Sequence, residues 1–173
     1  MQSNDFMKIS LAHINDLNEI MEMYKSCVSG MEKHKITQWD KTYPNKDVIK
    51  NDIILKTYYI AKNNNLIVGG VNIDQKEDVA YQNIKWEGSQ QESLIIHRLA
   101  VRYNFWKQNI GYKLMLHAEN LTKEKKMSYI RLDTYYDNKI AIKFYEKLKY
   151  KKLGYIYLKP NKYKYYCFEK KIL

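Results

Sequence analysis

His97-Arg98-Leu99-Ala100-Val101 ends a near-continuous apolar run, Ser93 to Val101, interrupted by His97 and Arg98. A strand buried on both faces reads this way. Arg102-Tyr103-Asn104-Phe105-Trp106-Lys107-Gln108-Asn109-Ile110-Gly111 follows, and beyond it Leu114, Met115, Ala118 and Leu121 recur at helical spacing. The stretch predicts a strand, a loop and a helix over Gly111 to Lys126. Such a junction gathers unpaired backbone N–H groups and the positive end of a helix dipole at one point. That suits a phosphate, and small or left-handed-tolerant residues, here Asn109 and Gly111, let it come close. One such loop by itself names no activity.

Outward from it, Met7 to Ala12 reads as a first strand. Asn15 or Asp16 then caps a helix in which Leu17, Ile20, Met21, Tyr24 and Val28 share a face, with Gly30 as its expected stop. A polar stretch holding Trp39, Asp40, Tyr43 and Pro44 precedes a short helix through Val48, Ile49 and Ile53. Tyr58 to Lys62 and Leu66 to Ile73 form a hairpin turned by Asn63-Asn64-Asn65, because Asn tolerates left-handed backbone. Asp74 to Glu92, with Tyr81 and Trp86, is a polar excursion expected to be extended in part. Tyr129 to Tyr135 is a strand, Lys139 to Leu148 a helix, and Tyr150 to Leu158 and Tyr163 to Lys170 close the chain as strands. This order implies a mixed α/β sheet in one domain over residues 1–173, with a parallel crossover around residues 93–135.

Composition narrows the class. The 173 residues can bury a proper core, and no run of about 18 apolar residues exists to span a membrane. Met1 to Phe6 is polar and lacks the apolar centre of a signal peptide. Cys27 and Cys167 lie far apart with no metal-type spacing, so the expectation is a cytoplasmic protein without metal. Thirty Lys and Arg against 19 Asp and Glu give a net charge of +11. A solvated basic surface, or attraction for a cofactor carrying phosphates, accounts for this better than nucleic acid does. Many of the tyrosines sit in alternating segments, where strand packing explains them.

The surroundings of the loop are more specific. Gly111 stands ten residues after Val101, and Asn138-Lys139-Ile140-Ala141-Ile142-Lys143-Phe144-Tyr145 follows downstream. This pattern resembles the GNAT superfamily of acyl-CoA-dependent acyltransferases, whose members often read LAV, an interval ending in Q/R-G-x-G-x-G/A, then N-x-x-A-x-x-F-Y. The resemblance implies a mixed, mostly antiparallel central sheet with splayed central strands and helices on both faces. It implies an N-acetyltransferase that moves an acetyl group from acetyl-CoA to a primary amine of a small molecule, by direct attack through a tetrahedral intermediate. The pantetheine arm would pair with backbone at Leu99, Ala100 and Val101, where a bulge splays the strand. Lys107, Gln108, Asn109, Ile110, Gly111 and Tyr112 would meet the pyrophosphate, and Asn138 the pantetheine arm. Tyr145 matches the tyrosine that protonates or hydrogen-bonds the departing sulfur.

This chain departs from the pattern in places. Trp106 replaces the usual Gln or Arg, Lys107 the first Gly and Asn109 the middle one, while Lys149-Tyr150 replaces a Gly-Phe pair. Asn is the best non-glycine residue for positive φ, whereas the bulk of Trp106 is expected to reshape the loop.

Attack also requires a neutral amine, although a lysine-like amine has a pKa of roughly 10.4 in water. His97 is the candidate base, acting directly or through water, with Glu92 and Glu32 behind it. Trp39, Tyr43 and Trp86, with Tyr81, are candidate walls for the acceptor, although ordinary packing explains each equally well. Tyr145 has a packing explanation too. Two other readings stay open: the same chemistry on a protein or peptide amine, and a non-catalytic acyl-CoA- or nucleic-acid-binding module, since a fold does not guarantee activity. Dimers are common in such folds, though no residue here argues for one.

Overall fold

The computed structural model describes residues 7–158 and 163–173; the reading of Met1 to Phe6 lies outside them. The strands are β1 (Lys8–Leu11), β2 (Tyr58–Asn63), β3 (Leu66–Asp74), β4 (Ser93–Val101), β5 (Tyr129–Tyr135), β6 (Lys151–Leu158) and β7 (Tyr163–Lys171). The helices are α1 (Leu17–Lys33), α2 (Lys46–Ile54), α3 (Ile110–Glu124) and α4 (Lys139–Lys147). Among the described residues, the seven strands follow the order β1-β2-β3-β4-β5-β7-β6. β1 with β2, β2 with β3, β5 with β7 and β6 with β7 pair antiparallel, and β4 with β5 parallel. The expected mixed, mostly antiparallel sheet is therefore present.

Local chemistry explains the element ends. Asn45 and Asn138 cap α2 and α4, each side chain accepting an N–H three residues on, from Val48 and Ala141, at 3.0 Å. The hairpin turns on Asn64 and Asn65 alone, with φ of 46° and 68°, as a two-residue turn on a twisted ribbon requires. All the helices named above end in the same way. Lys35, Lys56, Lys126 and Lys149 are left-handed, with φ between 56° and 67°. Each donates its N–H to the carbonyl three residues back, and the next residue donates to the carbonyl five back, as Ile36 does to Met31 and Tyr150 to Tyr145. This is the Schellman cap, usually built on glycine; here lysine takes the strained backbone and sets a cation at the negative helix pole. Lys149 thus fills the place of the family's glycine.

One expected helix end is corrected. α1 does not stop at Gly30 but runs to Lys33. A Cβ on Gly30 would lie 2.4 Å from the Tyr103 ring and 3.1 Å from that of Trp106, so this glycine serves close packing.

The described residues form two compact units, 7–73 with 98–117, and 74–97 with 118–158 and 163–173. In the first, Ile20, Met23, Tyr24 and Cys27 of α1 join Ile49, Ile60 and Ile67 in the core, each aliphatic side chain contributing roughly 1.5–3 kcal/mol. In the second, β4 pairs with β5 from Ser93 opposite Tyr129 to Ile96 opposite Leu132. Its core holds Tyr81, Ile95, Tyr135, Ile156, Tyr165 and Cys167. The excursion after Asp74 is extended in part, at Asp78, Ile84 and Ser89, and carries short turns of 3-10 helix at Val79–Asn83 and Gln90–Glu92. Arg131, almost wholly buried, pins it. Its guanidinium donates to Glu77, to the Gly88 carbonyl and, at 3.0 Å, to Glu169, and it lies 4.5 Å over the Trp86 ring.

Candidate active site

The loop after β4 is shaped by hydrogen bonds at its entrance. Arg102 N–H donates to the Val68 carbonyl at 2.8 Å and its Nε to Ile67 at 3.0 Å. A single 3-10 turn, Tyr103–Phe105, follows. Lys107 and Asn109 then adopt φ of 64° and 61°. These are the first and middle of the three positions where the resemblance puts glycines. Lys113 donates to the Asn109 carbonyl at 3.0 Å, so α3 opens at Ile110, one residue ahead of the expected start. The N–H groups of Ile110, Gly111 and Tyr112 belong to its first turn, where no partner within the helix is available. Gly111 itself is not left-handed; that duty falls to Lys107. With Lys107, Gln108, Asn109 and Tyr112 exposed, the loop suits a pyrophosphate.

Trp106 turns away from this duty. Its Nε1 donates to the Val101 carbonyl at 2.8 Å, and its ring stacks on His34 at 5.5 Å and meets Tyr103 edge-on at 5.1 Å. The bulk is absorbed by α1, and the left-handed positions survive beside it.

On β4 itself, Arg98 has φ of 55°. Its Nε and Nη2 donate to Asp52 Oδ2 at 3.0 and 2.6 Å, and its Nη1 to the Tyr43 hydroxyl at 3.4 Å. Burial alone would lower the Arg98 pKa, but Tyr43 and Asp52 outweigh it and hold the group above its ordinary value. The Arg98 carbonyl accepts from the Tyr24 hydroxyl at 2.8 Å, and that hydroxyl from Tyr58 at 2.9 Å. Beside the cluster opens a pocket of about 430 Å³ lined by Met21, Tyr24, Val28, Glu32, Asp40 and Tyr43, among others. Tyr43 therefore lines a cavity. Trp39 is buried and packs edge-on against Tyr24 at 5.7 Å.

In the second unit, His97 Nε2 lies 3.0 Å from Asp74 Oδ1, both half-buried. Asp74, which the sequence did not single out, gives the imidazole an orienting carboxylate. Tyr145 is buried on α4. Burial, reinforced by the Asp133 carboxylate, pushes its hydroxyl well above the usual range. Asp133 in turn accepts from the Tyr81 hydroxyl at 2.8 Å. Trp86 packs with Tyr81 at 5.0 Å and donates to its carbonyl at 2.9 Å. Glu92 is exposed, and a hydrogen bond from Ser89 lowers its pKa.

The sequence profile of the Acetyltransferase (GNAT) family matches residues 17–150. The chain belongs to that family. No curated protein matches it, but solved GNAT structures share its fold. A GNAT acetyltransferase of Streptococcus agalactiae is 22% identical over 95% of each chain, with a TM-score of 0.81. One from Listeria monocytogenes is 19% identical over 95% of this chain and 94% of its own, at 0.75. The PaiA N-acetyltransferase of Thermoplasma acidophilum, solved with coenzyme A, is 18% identical over 95% of this chain and 98% of its own, at 0.69. In this GNAT protein, Asp74, Asp52 and Tyr24 escaped the sequence reading. Nothing in local spacing links Asp74 to His97 or Asp52 to Arg98, which only the fold brings together.

Proposed function

We propose that the protein transfers an acetyl group from acetyl-CoA to the primary amine of a small molecule, as a single cytoplasmic N-acetyltransferase domain. The observation that carries this reading is the left-handed backbone at Lys107 and Asn109, which keeps the phosphate loop's shape without its first two glycines. The coenzyme A bound to the Thermoplasma acidophilum relative supports the same cosubstrate.

In this reading the first turn of α3 and the Lys107 ammonium hold the pyrophosphate, and the Leu99–Val101 backbone pairs with pantetheine. His97, oriented by Asp74, takes the proton of the attacking amine. The amine enters through the pocket beside Tyr43, with Trp39 backing Tyr24. Tyr145 donates a hydrogen bond to the leaving sulfur. A free thiol has a pKa of about 8.5, far below that of the buried Tyr145 hydroxyl, so stabilisation of the thiolate by hydrogen bonding outweighs full proton transfer. Direct attack is favoured because neither cysteine suits a relay. Both are buried and free; burial pushes Cys27 up to about 11 and raises Cys167 as well.

Calorimetric titration with acetyl-CoA, using desulfo-CoA and ATP as controls, tests the reading. Micromolar binding that prefers the CoA scaffold is the expected result; no binding at millimolar ligand overturns it.

A further inference from the structure

The left-handed turn at Arg98 is held from both ends of the residue. A bulky residue at positive φ within a strand is unfavourable and persists only where its surroundings over-determine it. Here the side chain is fixed by Asp52 of α2, which takes both Nε and Nη2. The main chain is fixed by Tyr24 of α1, whose hydroxyl donates to the Arg98 carbonyl at 2.8 Å. Tyr24 is itself oriented by the fully buried Tyr58. Gly70 makes room for that ring, because a Cβ there would lie 2.4 Å from the Tyr58 hydroxyl oxygen. A chain of dependence thus runs from Gly70 through Tyr58 and Tyr24 to one peptide plane.

That plane matters because a trans peptide points its C=O and its N–H in opposite directions. Anchoring the Arg98 carbonyl on Tyr24 therefore aims the Leu99 N–H the other way. We propose that Tyr24 and Asp52 are positioning residues, which hold Arg98 left-handed and so set the direction in which the Leu99–Val101 backbone meets the cosubstrate's pantetheine arm. The proposal rests on the acetyl-CoA reading above. Neither side chain touches the cosubstrate; both act through the Arg98–Leu99 peptide.

The test compares two ligands by calorimetry on the full-length protein: acetyl-CoA, and adenosine 3′,5′-bisphosphate, which lacks the pantetheine arm. Tyr24→Phe removes one oxygen, and Asp52→Asn removes the charge that grips Arg98. Each variant should bind acetyl-CoA about tenfold more weakly while its affinity for the bisphosphate stays within about twofold. A merely structural role would lower the melting temperature and the binding-competent fraction yet leave the ratio of the two affinities unmoved, and that result overturns the proposal. Should Asp52→Asn fail to fold, Tyr24→Phe alone decides. Wild-type protein that binds neither ligand overturns the acetyl-CoA reading itself, and the positioning role with it.

Discussion

The Trp106 indole donates to the Val101 carbonyl at 2.8 Å, so the side chain that departs furthest from the family pattern ties the loop to the end of β4. Replacing it with glutamine, a residue the resembled pattern carries there, removes that bond together with the ring packed on His34 and Tyr103. We expect Trp106→Gln to lose about 2–4 kcal/mol of stability, with acetyl-CoA affinity changed less than about threefold because Lys107 and Asn109 keep the loop's shape. Chemical denaturation and calorimetry on the same preparation check both halves.

Glycine normally weakens a chain through its unfolded-state freedom, but Lys107 and Asn109 are left-handed. Lys107→Gly should therefore be neutral or stabilising by up to about 1 kcal/mol. Asn109→Val, which places a β-branched residue at positive φ, should cost about 1–3 kcal/mol and weaken acetyl-CoA binding. Opposite signs at these two sites would separate backbone strain from side-chain contacts.

Tyr145→Phe keeps the buried ring and removes the hydroxyl. Turnover with an amine acceptor found by screening should fall about 10- to 100-fold, with acetyl-CoA affinity unchanged. Unchanged kcat would remove Tyr145 from the reaction.

Burial raises the hydroxyl pKa of Tyr24, Tyr58, Tyr81, Tyr145 and Tyr150. A tyrosine in the unfolded chain ionises near pH 10, so above about that pH the unfolded state sheds protons that the native state keeps. Stability is thus retained below about pH 10 and falls as pH rises beyond it. The share of the tyrosinate absorbance that belongs to these five buried rings should appear together with loss of the near-UV circular dichroism rather than ahead of it.

Arg131→Met leaves the buried Glu169 and the nearby Glu77 without their cation. We expect a loss of about 3–5 kcal/mol and proteolytic sensitivity in residues 74–92, where Gly88 is bound. The further change Glu169→Gln should recover part of that loss.

Most of the fold was legible because its signals are local. The apolar run into Val101 and the spacing of Leu114, Met115 and Ala118 are read from neighbours alone, and β4 and β5 match their expected bounds. The left-handed backbone of the loop after β4 was legible for the same reason, at Asn109. What stayed hidden depends on distance. Gly30 resembled a helix stop until the rings of Tyr103 and Trp106 were seen to need its bare face. The excursion after Asp74 has no periodicity of its own, because Arg131 shapes it from another strand. Asp52, Tyr24 and Asp74 gain meaning only from partners 46, 74 and 23 positions away.

The lysines that close the helices carry one more consequence. Lys35, Lys56, Lys126 and Lys149 are exposed, and trypsin cuts after lysine. Each of these bonds is guarded by two main-chain hydrogen bonds of its cap. A protease that must wait for local opening reports the free energy of that opening. Limited digestion of this chain would therefore act as a set of built-in fraying gauges, one at each of these helix ends, with no label to introduce.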